Sequence, residues 1–264
     1  MALFQCDFKS HTLQQELEMN IIMPTDYRER RASSPPAVLY LLHGLSDNHT
    51  AWQRKTRVEQ YAADMNMAIV MPNVHRSFYL NTATGYHYFD FMAKELPKFI
   101  ADTFNVSTAR KDTFVAGLSM GGFGAFMLAL SCPEMYSIAV AMSGALYMAR
   151  SYEALPKNDG YDIMRHDIEN VYGAKGARRG GYGDLFTLAK QCATAAHKPI
   201  LRQYCGTEDF LYNDNLTFRD FVESLSFNYE YSEWPGEHNW DFWDIGIVKA
   251  FECIREHNQR VNEW

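Results

Sequence analysis

The sequence predicts an α/β protein in which helices cover both faces of a mostly parallel sheet. Short apolar runs of strand length alternate with longer segments of helical period, which is typical of such sheets. The 264 residues are 47% apolar, which provides a large core and excludes a disordered chain. Because this length lies near the upper limit for one hydrophobic core, we expect a single domain over residues 1–264.

The candidate strands are mostly continuous apolar runs. This character is typical of parallel strands, because helices bury both of their faces. Looser alternation at residues 2–8 and 15–22 predicts an antiparallel hairpin at one edge of the sheet. The remaining candidate strands are 37–42, 68–71, 113–116, 138–142, 199–204 and the more polar 229–234.

Segments of helical period lie between these strands. Residues 144–181 interrupt the alternation, since they are rich in Tyr, Gly and Arg. We expect a small cap-like insertion there, at the carboxyl ends of the strands, where open α/β sheets bind their ligands. The candidate helices are 52–65, 91–103, 123–131, 182–195, 216–225 and 245–257.

Charge and hydropathy bear on the partners of the protein. The formal net charge is -7 and no run of Lys or Arg occurs, so we expect neither nucleic acid nor an anionic membrane as a partner. The first residues lack the basic and apolar pattern of a secretory signal, and no stretch of 18 apolar residues occurs. These observations predict a cytoplasmic protein.

No metal or cofactor is predicted. The five cysteines are scattered and never form a C-x-x-C pair, and neither a phosphate-binding loop nor G-x-G-x-x-G occurs. Asp162, His166 and Asp167 are of residue types that bind metals, but no second His pair stands at ligand spacing. We interpret these three residues as a solvated surface group.

The most informative segment is 113–125, where an apolar run leads into G-x-S-x-G and then into an apolar helix. This strand, turn and helix are the context of a nucleophile elbow, with Ser119 as the nucleophile. Gly117 and Gly121 suit the sharp turn, because a side chain at either position would collide with a neighbouring strand or helix. The alternative is a Gly-rich helix start without catalysis.

A serine nucleophile requires a base and an acid that orients the base. Of the nine histidines, His238 alone both follows the serine and the candidate acids and occupies a loop, just before the last helix. Two adjacent carboxylates, Glu208 and Asp209, follow candidate strand 199–204, and Asp209 is favoured as the acid. The alternative is that Asp209 or Asp214 caps the next helix.

Backbone N–H groups for an oxyanion come from the residue after the nucleophile and from the loop after an earlier strand. Met120 and Leu45 occupy these positions, and Gly44 allows the second loop to bend inward. The alternative for that loop is an ordinary turn at the end of a strand.

Aromatic residues near these loops are candidates for the wall of a substrate pocket. We single out Trp52, Tyr79 and Trp240 as substrate-binding candidates. The alternative is that their rings pack beneath long loops.

These segments together resemble the esterase D group of α/β-hydrolases, in particular bacterial tributyrin esterases and acetylesterases. The resemblance implies the α/β-hydrolase fold, and it implies Asp209 rather than Glu208 as the acid. Residues 144–181 match the family pattern least. The resemblance covers nearly the whole chain and is carried by residues 41–44, 71–73, 76–79, 95–97, 116–122, 206–212 and 236–240.

The resemblance implies a serine carboxylesterase, and we expect hydrolysis of short-chain acyl esters, such as acetyl or butyryl esters, through an acyl-enzyme. The same branch includes S-formylglutathione hydrolases, feruloyl or cinnamoyl esterases and mycolyl-type acyltransferases, which remain alternatives. A non-catalytic binding protein on the same fold is an alternative of a different class. The expected partner is a small-molecule ester, whereas the physiological ester and a homo-oligomeric state stay open.

Overall fold

The computed structural model describes residues 1–25, 35–151, 162–173 and 180–262. Within these residues, eight strands form one sheet: β1 (Ala2–Ser10), β2 (Gln15–Met23), β3 (Ala37–Leu42), β4 (Met67–Pro72), β5 (Thr113–Leu118), β6 (Ile138–Met142), β7 (Ile200–Gly206) and β8 (Tyr229–Trp234). Their order in the sheet is β1-β2-β4-β3-β5-β6-β7-β8. Every pairing from β4 to β8 is parallel, as predicted.

The predicted edge hairpin is confirmed. β1 and β2 pair antiparallel over their full length, from Ala2 opposite Met23 to Ser10 opposite Gln15. β2 also pairs antiparallel with β4, so it is the one strand of the described sheet that runs in the direction opposite to all the others.

Helices cover both faces of the sheet, as the alternation of segments predicts. In the described residues the α-helices are α1 (Ala51–Lys55), α2 (Val58–Tyr61), α3 (Tyr88–Asp90), α4 (Leu96–Thr103), α5 (Met120–Ser131), α6 (Met148–Ser151), α7 (Asp162–Tyr172), α8 (Leu185–Cys192), α9 (Tyr212–Glu223) and α10 (Trp240–Asn262). A π-helical turn, Phe91–Glu95, joins α3 to α4, and a short 3-10 helix, Arg110–Asp112, precedes β5. The core on one face includes side chains of α4, α5, α8 and α9, whereas the core on the other includes α1, α2 and α10. None of the described helices has the length and apolar character needed to cross a bilayer.

The helix predicted at 52–65 is wrong in its continuity, because the structure divides it into α1 and α2. Thr56 lies between them with an extended backbone, at φ -134°. Its hydroxyl donates to the Trp52 carbonyl at 2.6 Å and accepts from the Val58 N–H at 3.2 Å. Such bonds from a threonine side chain to the backbone compete with those of a helix and end it.

The carboxyl ends of the parallel strands lie at one edge of the sheet, and the loops that follow them carry the predicted site. Ser119 follows β5, Asp209 follows β7 and His238 follows β8. Of the predicted cap-like insertion, α6 and α7 are described, whereas residues 152–161 and 174–179 lie outside the described residues.

Candidate active site

Ser119 stands on a sharp turn between β5 and α5. Its φ of 52° is in the left-handed region, which residues with a side chain rarely adopt. Three backbone hydrogen bonds hold the turn: the Ser119 N–H donates to Met142 at 2.9 Å, and its carbonyl accepts from Phe123 at 3.0 Å and Ala145 at 3.1 Å. The neighbouring backbone therefore maintains a conformation that Ser119 alone would leave.

The predicted steric role of the two elbow glycines is confirmed. A Cβ at Gly117 would overlap the Gly121 carbonyl group, and a Cβ at Gly121 would overlap the carbonyl oxygens of Leu42 and His43. Helix α5 can therefore start this close to β3 and β5 only if both positions lack a side chain.

The structure brings together Ser119, His238 and Asp209, although they are far apart in the sequence. His238 Nε2 lies 3.0 Å from Ser119 Oγ, and His238 Nδ1 lies 2.9 Å from Asp209 Oδ2. With Asp209 ionised, Nδ1 carries the proton and donates to the carboxylate, so Nε2 accepts from the serine hydroxyl. This arrangement can transfer the serine proton to the imidazole.

The Asp209 carboxylate is fully buried, whereas the His238 side chain is 15% exposed. Burial alone would raise the pKa of Asp209, but hydrogen bonding and charge from His238, with further hydrogen bonds from the Ser143 hydroxyl and the Leu211 N–H, lower it below its ordinary value. Ser143 Oγ in turn accepts from Trp243 Nε1 at 3.1 Å. Asp209 is therefore held as an anion by donors on several sides.

Two aromatic rings contact the His238 imidazole. The Trp243 ring is buried and meets it edge-on at 4.9 Å between centroids, whereas the Phe210 ring lies 4.4 Å away and is 71% exposed. Packed side chains restrict rotamer freedom, so the Trp243 contact helps to keep Nε2 directed at Ser119.

Glu208, the second candidate for the acid, bonds to the backbone of Gly236 and not to the His238 imidazole. Its N–H donates to the Gly236 carbonyl at 3.1 Å, and its carboxylate accepts from the Gly236 N–H. This hydrogen bond from Gly236 is the main cause that lowers the pKa of Glu208. Glu208 thus ties the loop that carries Asp209 to the loop that carries His238.

A cavity of about 240 Å³ opens onto Ser119. Its walls are mainly apolar, and Asp214 is the one charged side chain among the described residues that line it. The lining residues are Leu45, Phe78, Ser119, Met120, Ala145, Met148, Met164, Ile168, Phe210, Leu211 and Asp214.

Leu45 and Met120, which we expect to supply the oxyanion N–H groups, line this cavity together with Ser119. Among the described residues, neither N–H has a hydrogen-bond acceptor. A Cβ at Gly44 would lie 2.5 Å from Leu118 Cδ1 and 3.7 Å from Ser119 Cβ, so the missing side chain lets this loop approach the elbow.

The assignment of Trp52, Tyr79 and Trp240 to the substrate pocket is corrected by the structure. Trp52 and Tyr79 are 1% and 0% exposed, and they donate to the Leu42 carbonyl at 3.0 Å and to the His43 carbonyl at 2.9 Å. Trp240 packs edge-on against Trp52 at 5.2 Å and is absent from the described cavity lining. Trp52 and Tyr79 therefore support the end of β3 from inside the core.

Sequence reasoning missed most of the cavity wall. Met148, Met164 and Ile168 belong to the described part of segment 144–181, whose sequence pattern does not indicate which side chains face the site. Phe78 lines the cavity, although its neighbour Tyr79 was the predicted residue. Asp214 follows Asp209 by five residues, but the sequence names it only in the alternative of a helix cap and does not indicate a place in the cavity wall.

The interpretation of Asp167 as a solvated surface residue is wrong. Asp167 is buried and accepts from Arg76 Nε at 2.8 Å and from Arg76 Nη2 at 2.6 Å. This bidentate ion pair joins α7 to the loop after β4 and compensates for burial of the carboxylate.

The chain is similar to known proteins over nearly its whole length. A model of the Esterase family, described as "Putative esterase", matches residues 10–252. The acetyl esterase of Caldicellulosiruptor saccharolyticus is 29% identical over 271 residues, which cover 96% of this chain and 98% of that protein.

Two solved structures from Staphylococcus aureus superpose on the chain. FphF, a fluorophosphonate-binding serine hydrolase solved with substrate bound, is 32% identical with a TM-score of 0.85. The S-formylglutathione hydrolase FrmB is 31% identical with a TM-score of 0.83. Each comparison covers 96% of this chain and 98% of the other. These likenesses confirm the α/β-hydrolase fold.

Proposed function

The chain belongs to the Esterase family and is a serine carboxylic-ester hydrolase, and from this we propose that it cleaves short-chain acyl esters through an acyl-enzyme on Ser119. The observation that carries the proposal is the contact series Ser119 Oγ to His238 Nε2 at 3.0 Å and His238 Nδ1 to Asp209 Oδ2 at 2.9 Å. This series opens onto the apolar cavity, where an ester can bind.

In the first half-reaction, His238 removes the Ser119 proton while Oγ attacks the ester carbonyl carbon. Asp209 stabilises the imidazolium that forms, and the alcohol leaves with the proton from Nε2. In the second half-reaction, His238 takes a proton from water, the hydroxide attacks the acyl-enzyme, and the carboxylic acid leaves as Ser119 regains its proton.

The N–H groups of Leu45 and Met120 would donate to the oxygen that becomes negative in each half-reaction. Such donors act mainly in the transition state, and the loss of one costs about 3–4 kcal/mol of barrier reduction. Their position beside Ser119 and their lack of an acceptor among the described residues support this role.

The size of the cavity supports a short acyl chain. Its volume of about 240 Å³ lies below the roughly 300–1,000 Å³ that is usual for small-molecule pockets. Methionine and phenylalanine side chains line it, which suits an alkyl group better than a charged one.

The test is a series of p-nitrophenyl acetate, butyrate and octanoate, assayed with the wild-type protein and with Ser119→Ala. We expect the highest kcat/KM for acetate or butyrate, and nearly complete loss of turnover in the variant. A fluorophosphonate probe should label the wild type and leave folded Ser119→Ala unlabelled. Undiminished turnover in that variant would disprove the mechanism.

A second candidate function is hydrolysis of S-formylglutathione, which the 31% identity to a bacterial S-formylglutathione hydrolase favours. The same acyl-enzyme chemistry applies to thioesters. Comparison of kcat/KM for S-formylglutathione and p-nitrophenyl butyrate separates the two, because a thioesterase should prefer the former by at least about tenfold.

We also propose that residues 1–264 act as one domain in the cytoplasm, with the segment 144–181 as a cap over the cavity. Met148, Met164 and Ile168 support the cap, since they come from this segment and line the cavity. All five cysteines are free thiols, which suits a reducing compartment.

A further inference from the structure

Asp214 is a polar exception in the wall beside Ser119. It lies in the first turn of α9 and is half-buried, and the other described residues of the wall, apart from Ser119, are apolar. Burial raises the pKa of its carboxyl group, because the apolar surroundings disfavour the charged form.

The Asp214 carboxylate has no hydrogen-bond or ion-pair partner among the described residues. The three fully buried aspartates of the described chain each have an ion-pair partner: Asp167 pairs with Arg76, Asp184 pairs with Arg150, and Asp209 pairs with His238. Partial removal of a carboxylate from water costs free energy when no protein donor replaces the lost water. A carboxylate that lies beside a nucleophile and has no donor among the described residues therefore indicates that a bound ligand supplies the donor.

We propose that the substrate ester carries a hydroxyl or ammonium group that donates a hydrogen bond to Asp214 inside the cavity. This inference rests on the proposed function, because it assigns the ester that Ser119 attacks. The acyl part is the expected bearer of the donor, since it stays bound to Ser119 through both half-reactions, whereas the alcohol leaves after the first. The apolar walls would hold the carbon chain between the ester group and the donor.

The charge of Asp214 also bears on which esters are rejected. An acyl chain that ends in a carboxylate would place a like charge beside Asp214 in a partly desolvated pocket, which is unfavourable. Plain alkyl esters would leave Asp214 unmatched but would meet no repulsion. We therefore expect the order donor-bearing ester, alkyl ester, anionic ester.

The experiment measures kcat/KM by pH-stat titration at pH 7.5 for ethyl butyrate, ethyl 3-hydroxybutyrate, ethyl 3-aminobutyrate and monoethyl succinate. 2-Hydroxyethyl butyrate is added because its donor lies on the alcohol part. The variants are Asp214→Ala and the isosteric Asp214→Asn. Asp220→Ala is the matched control, since Asp220 lies on the same helix but is exposed and pairs with Arg219.

We expect the ratio of kcat/KM for a donor-bearing ester over ethyl butyrate to fall about tenfold in Asp214→Ala, the lower range for a hydrogen bond to a charged group in a half-exposed site. The ratio for monoethyl succinate should rise. Asp220→Ala should keep the wild-type ratios. A fall for the 3-substituted esters places the donor on the acyl part, and a fall for 2-hydroxyethyl butyrate alone places it on the alcohol.

Ratios within twofold of the wild type for every donor-bearing ester in Asp214→Ala and Asp214→Asn would overturn the inference. The wild type gives a test that needs no variant. When kcat/KM of each ester is divided by its rate constant for hydroxide-catalysed hydrolysis, the quotient should be higher for the donor-bearing esters than for ethyl butyrate. If the wild type cleaves none of the esters, the proposed function fails as well. If it cleaves ethyl butyrate by means of Ser119 but shows no such preference, only this inference fails.

Discussion

Replacement of Ser143 by alanine should have two measurable effects: a lower Tm and a shift in the pH at which Asp209 becomes protonated. Ser143 is fully buried, and its hydroxyl accepts from Trp243 Nε1 at 3.1 Å while it helps to lower the pKa of Asp209. Ser143→Ala deletes this hydroxyl and leaves the indole N–H buried without an acceptor. Such a group costs about 1–3 kcal/mol, which for a domain of this size lowers Tm by about 2–12 °C.

The same substitution should change the dependence of activity on pH. Without the Ser143 hydroxyl, the lowered pKa of Asp209 moves back toward its ordinary value. An acid with a lowered pKa in the folded state keeps its function above that pKa and loses it as the pH falls through it. The acid limb of the profile of kcat/KM against pH should therefore move to higher pH in the variant. The part of the stability loss that comes from the raised pKa of Asp209 should diminish as the pH falls.

Two further variants serve as controls for Ser143→Ala. Ser143→Gly also lacks the hydroxyl but relieves the φ of 48°, so it should be more stable than Ser143→Ala by about 1 kcal/mol and show the same shift of the acid limb. Trp243→Phe keeps the hydroxyl beside Asp209 and an aromatic ring beside His238, and should leave the acid limb in place. A wild-type pH profile for Ser143→Ala, by stopped p-nitrophenyl butyrate assays, would refute the reasoning.

Four other substitutions test the catalytic site and the packing around it. Ser119→Ala should lower kcat on the order of 10⁶-fold while circular dichroism shows a retained fold, and a decrease below tenfold would contradict a nucleophilic serine. Asp209→Asn should lower kcat by about 10⁴-fold. Glu208→Gln keeps an oxygen that accepts from the Gly236 N–H, so this variant should retain at least about a tenth of the wild-type kcat. Equal losses of kcat in the two variants would contradict the assignment of Asp209 as the acid. Gly124→Ala places a Cβ into the Tyr79 ring, so the free energy of unfolding should fall by about 1–3 kcal/mol, which differential scanning calorimetry would show as a lower Tm. An unchanged Tm would mean that the ring moves aside.

The sequence was sufficient for the strands and for the residues that meet at Ser119. Strands at Ala37–Leu42 and Ile138–Met142 have the predicted bounds, because apolar runs between turn residues define buried strands well. The more polar edge strand Tyr229–Trp234 also has its predicted bounds. His238 could be selected from its place in the order of the chain and its loop setting. Helix bounds were less accurate, since the side-chain hydrogen bonds of Thr56 end α1 without altering the hydrophobic period.

The wall of the cavity could not be predicted in the same way. Phe78 and Tyr79 both have positive φ, 51° and 58°, so neither the period of a strand nor that of a helix tells which ring faces the cavity. The structure gives Phe78 to the cavity and Tyr79 to the core. The role of Ser143 was equally hidden, because its partner Trp243 lies 100 residues away.

His238 follows β8, which is one of the two edge strands of the described sheet and pairs with β7 alone. Edge strands detach at a lower free energy than the central ones, because they have fewer packed neighbours. In mild urea the enzyme should thus lose its activity before circular dichroism shows unfolding of the central strands, and dilution should restore turnover within the time that β8 needs to dock again. Inhibition by low denaturant would then report local opening at one side of the sheet, ahead of global unfolding.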